Sequence, residues 1–420
     1  MAKQLHKKFT DSQVKELIER YLKHEIERKY IQQILGIGER RFFDIVKKYR
    51  ENPACFSVQY IRKIKTRGIC QSIENNIIKE LKIEKKLIKD ENVPLRRYNY
   101  SYVKDLLKKE YKQKVSLPTI IDRAKKYDFY LKKKPKKAAH DREVITNYAG
   151  ELIQHDSSLH LFSPPARRKW YLITSIDDFS RFMLYAMFIE KETTWTHILA
   201  LQTVFLKYGL PYSYYTDSHR IFRFVQGRDS IWRKHYLLTD DVDTQWGQVM
   251  DDCGVKIIPA LSPQAKGKVE RPYGWLQDRL IRTCVRENAR DLEHGIKILR
   301  QELHRYNFRQ VHSTTGEIPY YRFQRALKDK KSLFREFAIK QPYQSVKDIF
   351  CLRMKRTIDG YRRISLPKLQ IKLNNATPRE RVNLRIYPLG DGISEVRFWC
   401  NDKLIDVQRV KNSDLNILQF

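Results

Sequence analysis

The sequence predicts a multidomain chain with all-α helix-turn-helix modules at its N-terminal end, a central α/β core and a small C-terminal β-barrel. Three observations support this fold class. The 420 residues suffice for roughly three domains, 41% of them are hydrophobic, and the apolar spacing changes along the chain from helical to strand-like. A disordered basic tail would lack the apolar residues that such cores need.

The charge balance points to a polyanionic partner. Lys and Arg number 83 against 49 Asp and Glu, a formal net charge of +34, and residues 1–140 alone hold 37 basic and 17 acidic side chains. Because basic groups that neutralise phosphates release condensed counterions, we expect nucleic acid rather than a membrane surface. No apolar stretch approaches the roughly 18 residues of a membrane helix and no signal peptide is apparent, so we expect a cytoplasmic, DNA-associated protein.

The cysteines give no sign of a metal or disulfide framework. They are scattered, without a Cys-x-x-Cys pair or a nearby histidine cluster, at Cys55, Cys70, Cys253, Cys284, Cys351 and Cys400. We therefore expect reduced thiols and no structural zinc.

Residues 1–60 carry the pattern of a helix-turn-helix domain. Apolar residues recur at helical spacing in two sets, Val14, Leu17, Ile18 and Tyr21, then Phe42, Ile45, Val46 and Tyr49. Gly36-Ile37-Gly38 separates two helices between these sets, and a helix, a glycine-containing turn and a second helix form the motif. The second helix would present to DNA the side chains of Arg40, Arg41, Lys47 and Lys48.

Residues 61–131 repeat this pattern. Tyr102 to Tyr111 and Leu117 to Ala124 have helical spacing, with Ser116 as the N-cap of the second helix. The DNA contacts expected here are Arg123, Lys125 and Lys126. For both modules together, residues 9–130, a plain helical bundle with solvated lysines is the alternative. The basic linker at 132–144 either follows a phosphate backbone or serves as a solvated spacer.

Residues 145–325 predict the α/β core. Strand-like runs lie at 151–162, 170–176, 182–189, 212–216 and 256–259, and helical runs at 193–208, 244–253, from 267, and at 292–306. Strands followed by alternating helices and strands imply a sheet with helices on its faces. Residues 340–420 contain short alternating runs separated by turn signals such as Gly390-Asp391-Gly392, and these predict a small β-barrel, with a β-sandwich as the alternative.

Three acids at element ends are the unusual feature of this basic chain. Asp156 lies in the first strand, Asp217 follows the strand at 212–216, and Glu270 lies in the first turn of the helix from 267. Crowded carboxylates repel unless a cation lies between them, and Mg²⁺ prefers oxygen ligands. Two such ions about 3.5–4 Å apart can activate a hydroxyl and stabilise the leaving oxygen. Singly, each acid also fits a structural role, as a strand-edge charge, a turn cap or a helix N-terminal charge.

Several segments together resemble the DDE core of retroviral-integrase-type transposases of bacterial insertion sequences. They are Asp156, Ile176-Asp177-Asp178-Phe179-Ser180-Arg181, Tyr215-Thr216-Asp217 and Ser262-Pro263-Gln264-Ala265-Lys266-Gly267-Lys268-Val269-Glu270-Arg271. The resemblance implies an RNase H-like core that cleaves transposon ends with water and joins the freed 3′-hydroxyls to target DNA. It also implies that Asp156, Asp217 and Glu270 are catalytic and hold two Mg²⁺ or Mn²⁺ ions. Lys266, Lys268 and Arg271 would contact DNA beside the reacting phosphate, and Asp178 would be structural.

The chain departs from the family pattern in two places. Ser218-His219-Arg220 follows Asp217 where the family often has Asn-Gly, and 52 residues separate Asp217 from Glu270, more than is usual. We place the extra residues in an insert near 218–240, which is basic and aromatic. This insert either contacts DNA or lengthens a loop.

The resemblance also implies the partners. These are double-stranded DNA, both element ends and target, and further copies of the chain in a dimer or tetramer, while an ATPase partner is left open. The first rival is an RNase H-type nuclease, which usually needs a glutamate in the first long helix, whereas 193–208 holds no acid. The second is a non-catalytic, sequence-specific DNA-binding regulator with an integrase-like core. The third is a structural protein that bridges DNA segments.

Overall fold

The computed structural model describes residues 5–59, 68–132, 146–217, 219, 221–222, 244–259, 267–366 and 368–415, without the side chains of 267–272. The chain divides into two compact units, 1–74 and 75–420. The finer domain limits stay predictions. Nearly all of the predicted linker (132–144) and insert (218–240) lies outside the described residues. No helix in the described ranges combines the length and apolar character needed to cross a bilayer.

The first unit contains the helices predicted for it. They are α1 (Asp11–Leu22), α2 (Arg28–Leu35) and α3 (Glu39–Glu51). Gly36 ends α2 in the left-handed conformation (φ 63°), which glycine adopts without a Cβ penalty, and Gly38 precedes α3. Both sets of apolar residues contribute to one core, in which Val14, Ile18 and Phe42 are buried.

A second helical module, residues 75–132, opens the larger unit. It is built from α4 (Gln71–Lys89, whose first turn begins in the first unit), α5 (Tyr100–Glu110) and α6 (Leu117–Lys126). Ser116 caps α6 as predicted, since its hydroxyl accepts a hydrogen bond from the Thr119 backbone N–H at 3.2 Å. Both predicted apolar faces are buried, with Tyr102, Val103, Leu107 and Ile120 at the centre.

The described strands of the core form a mixed five-stranded sheet. They are β1 (Leu152–His160), β2 (Trp170–Asp177), β3 (Met183–Ile189), β4 (Ser213–Thr216) and β5 (Lys256–Pro259). Their order is β3-β2-β1-β4-β5. β1, β2 and β3 pair antiparallel, whereas β4 lies parallel to β1 and β5 parallel to β4. The predicted strands are confirmed, with ends shifted by at most two residues.

Helices cover both faces of this sheet, as the α/β prediction required. On one face, α7 (Thr194–Tyr208) and α8 (Gln245–Asp252) share a core with Ile153 and Tyr214. On the other, α9 (Gly267–Arg286) and α10 (Leu292–Phe308) pack on Trp170 and Leu172. α11 (Pro319–Lys328) follows.

The C-terminal strands form an open sheet. They are β6 (Leu352–Thr357), β7 (Arg363–Leu366), β8 (Leu369–Lys372), β9 (Arg381–Gly390), β10 (Ile393–Cys400) and β11 (Lys403–Lys411), with short helices α12 (Val346–Ile349) and α13 (Asn412–Leu415). The sheet order is β11-β10-β9-β6, and β7 pairs with β8 in a separate hairpin. The predicted closed barrel is not formed among the described residues, because alternation identifies strands but not the edges that pair.

The C-terminal sheet packs directly on the α7 and α8 side of the core. The Gln245 side chain pairs with the backbone of Arg353 through both its N–H (2.6 Å) and its carbonyl (2.9 Å). The Arg353 guanidinium also bonds to Asp252 at 2.7 Å. The C-terminal sheet, α7 and α8 contribute to one apolar cluster, which contains no described residue of α9.

Candidate active site and nucleic-acid contacts

Strand pairing places the segments that carry the first two predicted acids on neighbouring strands. Asp156 lies within β1, and in the β1–β4 ladder Gln154 is paired with Tyr215. Asp156 follows Gln154 by two residues, and Asp217 follows Tyr215 by two residues, just after the end of β4. Because neighbouring strands are only about 4.8 Å apart, the ladder brings these two segments close together. Each aspartate is partly exposed, and the backbone N–H of His219 donates to Asp217 Oδ1 at 3.0 Å.

A buried tyrosine ties α9 to this point. The Tyr273 hydroxyl donates to the backbone carbonyl of Asp156 at 2.7 Å and accepts a hydrogen bond from Thr174. Burial raises the pKa of Tyr273 well above its usual value, and the carboxylates of Asp156, Glu192 and Asp217 raise it further. Tyr273 thus connects α9 with the backbone of Asp156.

Glu270 lies on the helix that this tyrosine positions. It is the fourth residue of α9, in the first turn as predicted, while its side chain lies outside the described residues. Residues three and seven positions apart share a helix face. Tyr273 and Gln277 occupy that face, and both contact β1, since Gln277 Nε2 donates to Ser158 Oγ at 2.8 Å. α9 thus contacts β1 within two turns of Glu270.

Glu192 is a fourth acid near β1, and sequence reasoning missed it. Its carboxylate accepts hydrogen bonds from Ser157 Oγ, next to Asp156, and from His197 Nε2 at 3.0 Å. Burial raises the pKa of Glu192, but the bonds from His197 and Ser157 outweigh burial, so this pKa lies below its usual value. Glu192 immediately precedes Thr193, the N-cap of α7, so it lies just before the predicted helical segment 193–208.

A buried histidine pair continues from Glu192 beneath β1. His197 Nδ1 lies 2.8 Å from His155 Nε2, and His155 Nδ1 lies 2.9 Å from Ser175 Oγ. Burial, followed by the neighbouring His197, lowers the pKa of His155 well below its usual value. His155 is consequently neutral at pH 7, and the chain of bonds anchors β1 to β2 and α7.

The Asp-Asp-Phe-Ser-Arg segment forms a tight structural turn. Asp178 pairs with Arg181 at 2.7 Å and accepts from Thr146 Oγ1 at 2.8 Å, which is the structural role expected of it. Asp177 accepts from the backbone N–H groups of Gly150 and Ser180 at 2.8 and 2.9 Å. Burial raises the pKa of Asp177 to about 6, although these hydrogen bonds lower it.

The predicted donor set fits a hard divalent cation. Asp156 in β1 and Asp217 after β4 offer carboxylate oxygens, the ligands that Mg²⁺ and Mn²⁺ prefer. Within the described residues, which exclude the Glu270 side chain, no group of three or more His, Cys, Asp or Glu side chains is arranged to hold a metal. The set of three ligands stays a prediction.

The basic residues predicted to contact DNA are largely exposed where they are described. Arg40, Arg41, Lys47 and Lys48 lie on the outer side of α3, and three of them line a groove of about 410 Å³ together with Phe56. Lys47 is 3.9 Å from Glu51. The exposed location agrees with a nucleic-acid contact, which remains a prediction.

The remaining predicted contacts divide between α6 and residues near Glu270. Lys125 and Lys126 are exposed over the rings of Tyr130 and Tyr127 at 5.2 and 4.8 Å, whereas Arg123 is half-buried and pairs with Asp122 at 2.7 Å. Lys266 lies outside the described residues. The same holds for the side chains of Lys268 and Arg271, although their backbone belongs to α9.

Comparison with known proteins identifies transposase relatives. The chain is 30% identical over 178 residues to "Putative transposase y4bF" of Sinorhizobium fredii (strain NBRC 101917 / NGR234), covering 42% of this chain and 37% of that protein. It is 31% identical over 173 residues to "Transposase for insertion sequence IS1202" of Streptococcus pneumoniae, covering 41% and 35%. The matches thus span little more than a third of each relative. No family model matches the chain.

Solved structures with a similar arrangement come from retroviral integrases. One is a simian T-cell lymphotropic virus intasome in complex with PP2A regulatory subunit B56 gamma, with a TM-score of 0.33 and 13% identity over 70% of this chain and 91% of that chain. Another is the HTLV-2 integrase catalytic core domain in complex with magnesium, with a TM-score of 0.30 and 18% identity over 41% and 95%. The expected resemblance to transposases is confirmed by the two curated relatives, over about two fifths of this chain.

Proposed function

We propose that this protein is a DDE-type DNA transposase that cleaves element ends and joins their 3′-hydroxyls to target DNA by two-metal phosphoryl transfer. One observation carries the proposal. In the β1–β4 ladder Gln154 pairs with Tyr215, each two residues before one of the two aspartates, and Tyr273 of α9 donates a hydrogen bond to the Asp156 carbonyl. This supports a shared metal site that Glu270, in the first turn of α9, would complete.

Each residue has a distinct task in this mechanism. Asp156, Asp217 and Glu270 would hold two Mg²⁺ or Mn²⁺ ions, which when bound supply the Lewis acidity for in-line displacement at phosphorus. Tyr273 fixes the Asp156 backbone against α9, and the Glu192 carboxylate holds Ser157 through a hydrogen bond. His155 stays neutral in the core and braces β1 from below.

DNA binding would come from basic surfaces outside the acid cluster. Arg40, Arg41, Lys47 and Lys48 on α3 would enter a major groove, and Arg123, Lys125 and Lys126 would serve the second module. Lys266, Lys268 and Arg271 would contact the backbone beside the reacting phosphate. Because joining two element ends takes at least two active sites, the chain would act as a dimer or tetramer on DNA.

The test is a cleavage and strand-transfer assay with end-sequence DNA, target DNA and Mg²⁺. We expect the parent and Asp329→Asn, an exposed acid at the C-terminal end of α11, to cut and join alike. Asp156→Asn and Asp217→Asn should lose at least a hundredfold in rate while still binding DNA. Equal activity of Asp156→Asn and the parent would refute the assigned role. Binding without cleavage by the parent would favour the DNA-binding regulator instead.

A further inference from the structure

The second helical module (75–132) contacts α9 through an ion pair whose two side chains are fully buried. Arg282 of α9 has no exposed side-chain surface, and neither has its ion-pair partner Glu84 of α4. The same guanidinium donates to Asp278 at 2.9 Å and to the backbone carbonyl of Arg97. One arginine of α9 therefore bonds to two segments of the module.

Further bonds extend this contact along α9. Arg279 pairs with Asp105 of α5 at 3.0 Å, and Arg286 pairs with Glu80 of α4 at 2.7 Å.

The side chain of Tyr102 joins the same contact in two ways. Its hydroxyl lies 3.0 Å from Thr283 Oγ1, and the Arg279 guanidinium lies 4.9 Å from the centre of its ring. Contacts of α9 with the module thus recur at every turn from residue 278 to residue 286.

The chemistry of this contact defines position more than it adds stability. The desolvation cost of a buried ion pair offsets most of its Coulomb attraction. Its main effect is to disfavour arrangements in which one of the two charges is left unpaired. An apolar interface could tolerate a shift of α9 along its axis, since apolar packing has little directionality. A shift of α9 along its axis would break the ion pairs with Glu84 and Glu80.

The two ends of α9 therefore have different neighbours. The first turns contact β1 through Tyr273 and Gln277, next to the acid cluster. The later turns contact the module through their arginines, while Leu280 and Cys284 remain in the core of the sheet. At about 1.5 Å per residue, Glu270 lies about 12 Å from Asp278 and about 18 Å from Arg282 along the axis, so a hydrogen-bonded helix connects the two without an intervening loop.

We propose that the second helical module positions α9, so that DNA held by this module sets the place of Glu270 beside Asp156 and Asp217. The inference rests on the proposed function, and it makes the module a positioning element for the metal site as well as a DNA-binding one. Loading of an element end and completion of the ligand set are then coupled through α9. Simple packing between two domains would produce no such coupling.

The experiment uses the full-length chain with a double variant, Tyr102→Phe with Asp105→Asn. It removes a hydroxyl that faces α9 and a carboxylate that pairs with both Arg279 of α9 and Arg305 of α10, and it leaves the buried Glu84 pair intact. The matched control is Tyr100→Phe with Asp90→Asn, which alters the same residue types in the same module. The hydroxyl of Tyr100 bonds to the Phe129 carbonyl at 2.9 Å and Asp90 bonds to Asn92, so neither faces α9.

Two readouts are compared below the melting temperatures of all three proteins. The first is the Mn²⁺ concentration that gives half-maximal cleavage of end-sequence DNA, with DNA affinity measured separately. We expect the Tyr102/Asp105 variant to bind DNA within twofold of the control but to need at least fivefold more Mn²⁺. The second is hydrogen exchange of residues 267–277, which DNA should slow in the parent and the control but not in the variant.

The outcomes separate the two proposals. Equal Mn²⁺ dependence and equal exchange in both double variants would overturn the positioning role while the chain remained a transposase. Absence of cleavage by the parent, with DNA-dependent slowing of exchange in the parent and control alone, would overturn the proposed function and retain the coupling between module and helix. Loss of DNA binding in the Tyr102/Asp105 variant alone would also overturn the inference, because its effect would then lie in DNA binding.

Discussion

Removing the Tyr273 hydroxyl should weaken the connection between α9 and β1. In the parent this group donates to the Asp156 carbonyl at 2.7 Å and accepts from Thr174, within a side chain that is only 7% exposed. Tyr273→Phe keeps the ring in its apolar cluster and deletes both bonds. The substitution thus changes the hydrogen bonding around Asp156 without creating a large cavity.

The magnitude follows from the burial of the partners. A net contribution of about 0.5–1.5 kcal/mol per hydrogen bond, and a cost of about 1–3 kcal/mol for a buried group left unsatisfied, give a loss of about 2 kcal/mol in the free energy of unfolding. If about 1.4 kcal/mol of this loss also raises the barrier to DNA cleavage, because Asp156 is no longer held, the cleavage rate falls about tenfold.

Tyr306→Phe provides the matched control. Tyr306 is 3% exposed in the same cluster, and its hydroxyl has no hydrogen-bond partner in the part of the chain that is described. Its removal should leave stability unchanged or raise it. Denaturant unfolding and single-turnover cleavage of end-sequence DNA measure both variants. The reasoning fails if Tyr273→Phe unfolds and cleaves like Tyr306→Phe.

Three further predictions concern packing, pH and salt. Gly295→Ala would drive a Cβ into the Trp170 ring, so we expect a loss of about 1–3 kcal/mol by denaturant unfolding; a variant as stable as the parent would show that Trp170 yields freely. Because burial raises the pKa of Asp177 to about 6 from a usual 3.8, the folded chain binds this proton more tightly than the unfolded chain. The stability of the parent relative to Asp177→Asn should therefore be greatest below about pH 4 and decline as the pH rises through about 6, and a difference that is flat over pH 4–7 would contradict the burial argument. DNA affinity should fall linearly on a log-log plot against salt, given the net charge of +34, and a salt-independent affinity would exclude phosphate contacts as its main source.

Local patterns in the sequence were sufficient for most secondary structure. The five core strands and the helices α1–α3 and α5–α10 lie close to their predicted ranges, because helical and strand periodicities reflect which side of an element is buried, whereas α4 was not predicted. Glu270 in the first turn of α9 and the Ser116 cap are equally local. The barrel prediction failed for the complementary reason, since closure depends on edges distant in sequence.

The sequence by itself determined the elements, the excess of positive charge and the three acids that resemble a transposase triad. Only the tertiary structure decided which residues meet: β4 beside β1, Tyr273 between α9 and β1, Glu192 with Ser157, and the second module on α9. The physical reason is that periodicity and capping depend on neighbours a few residues away. Strand register and buried ion pairs instead join residues that can lie more than a hundred positions apart, and no local pattern encodes that pairing.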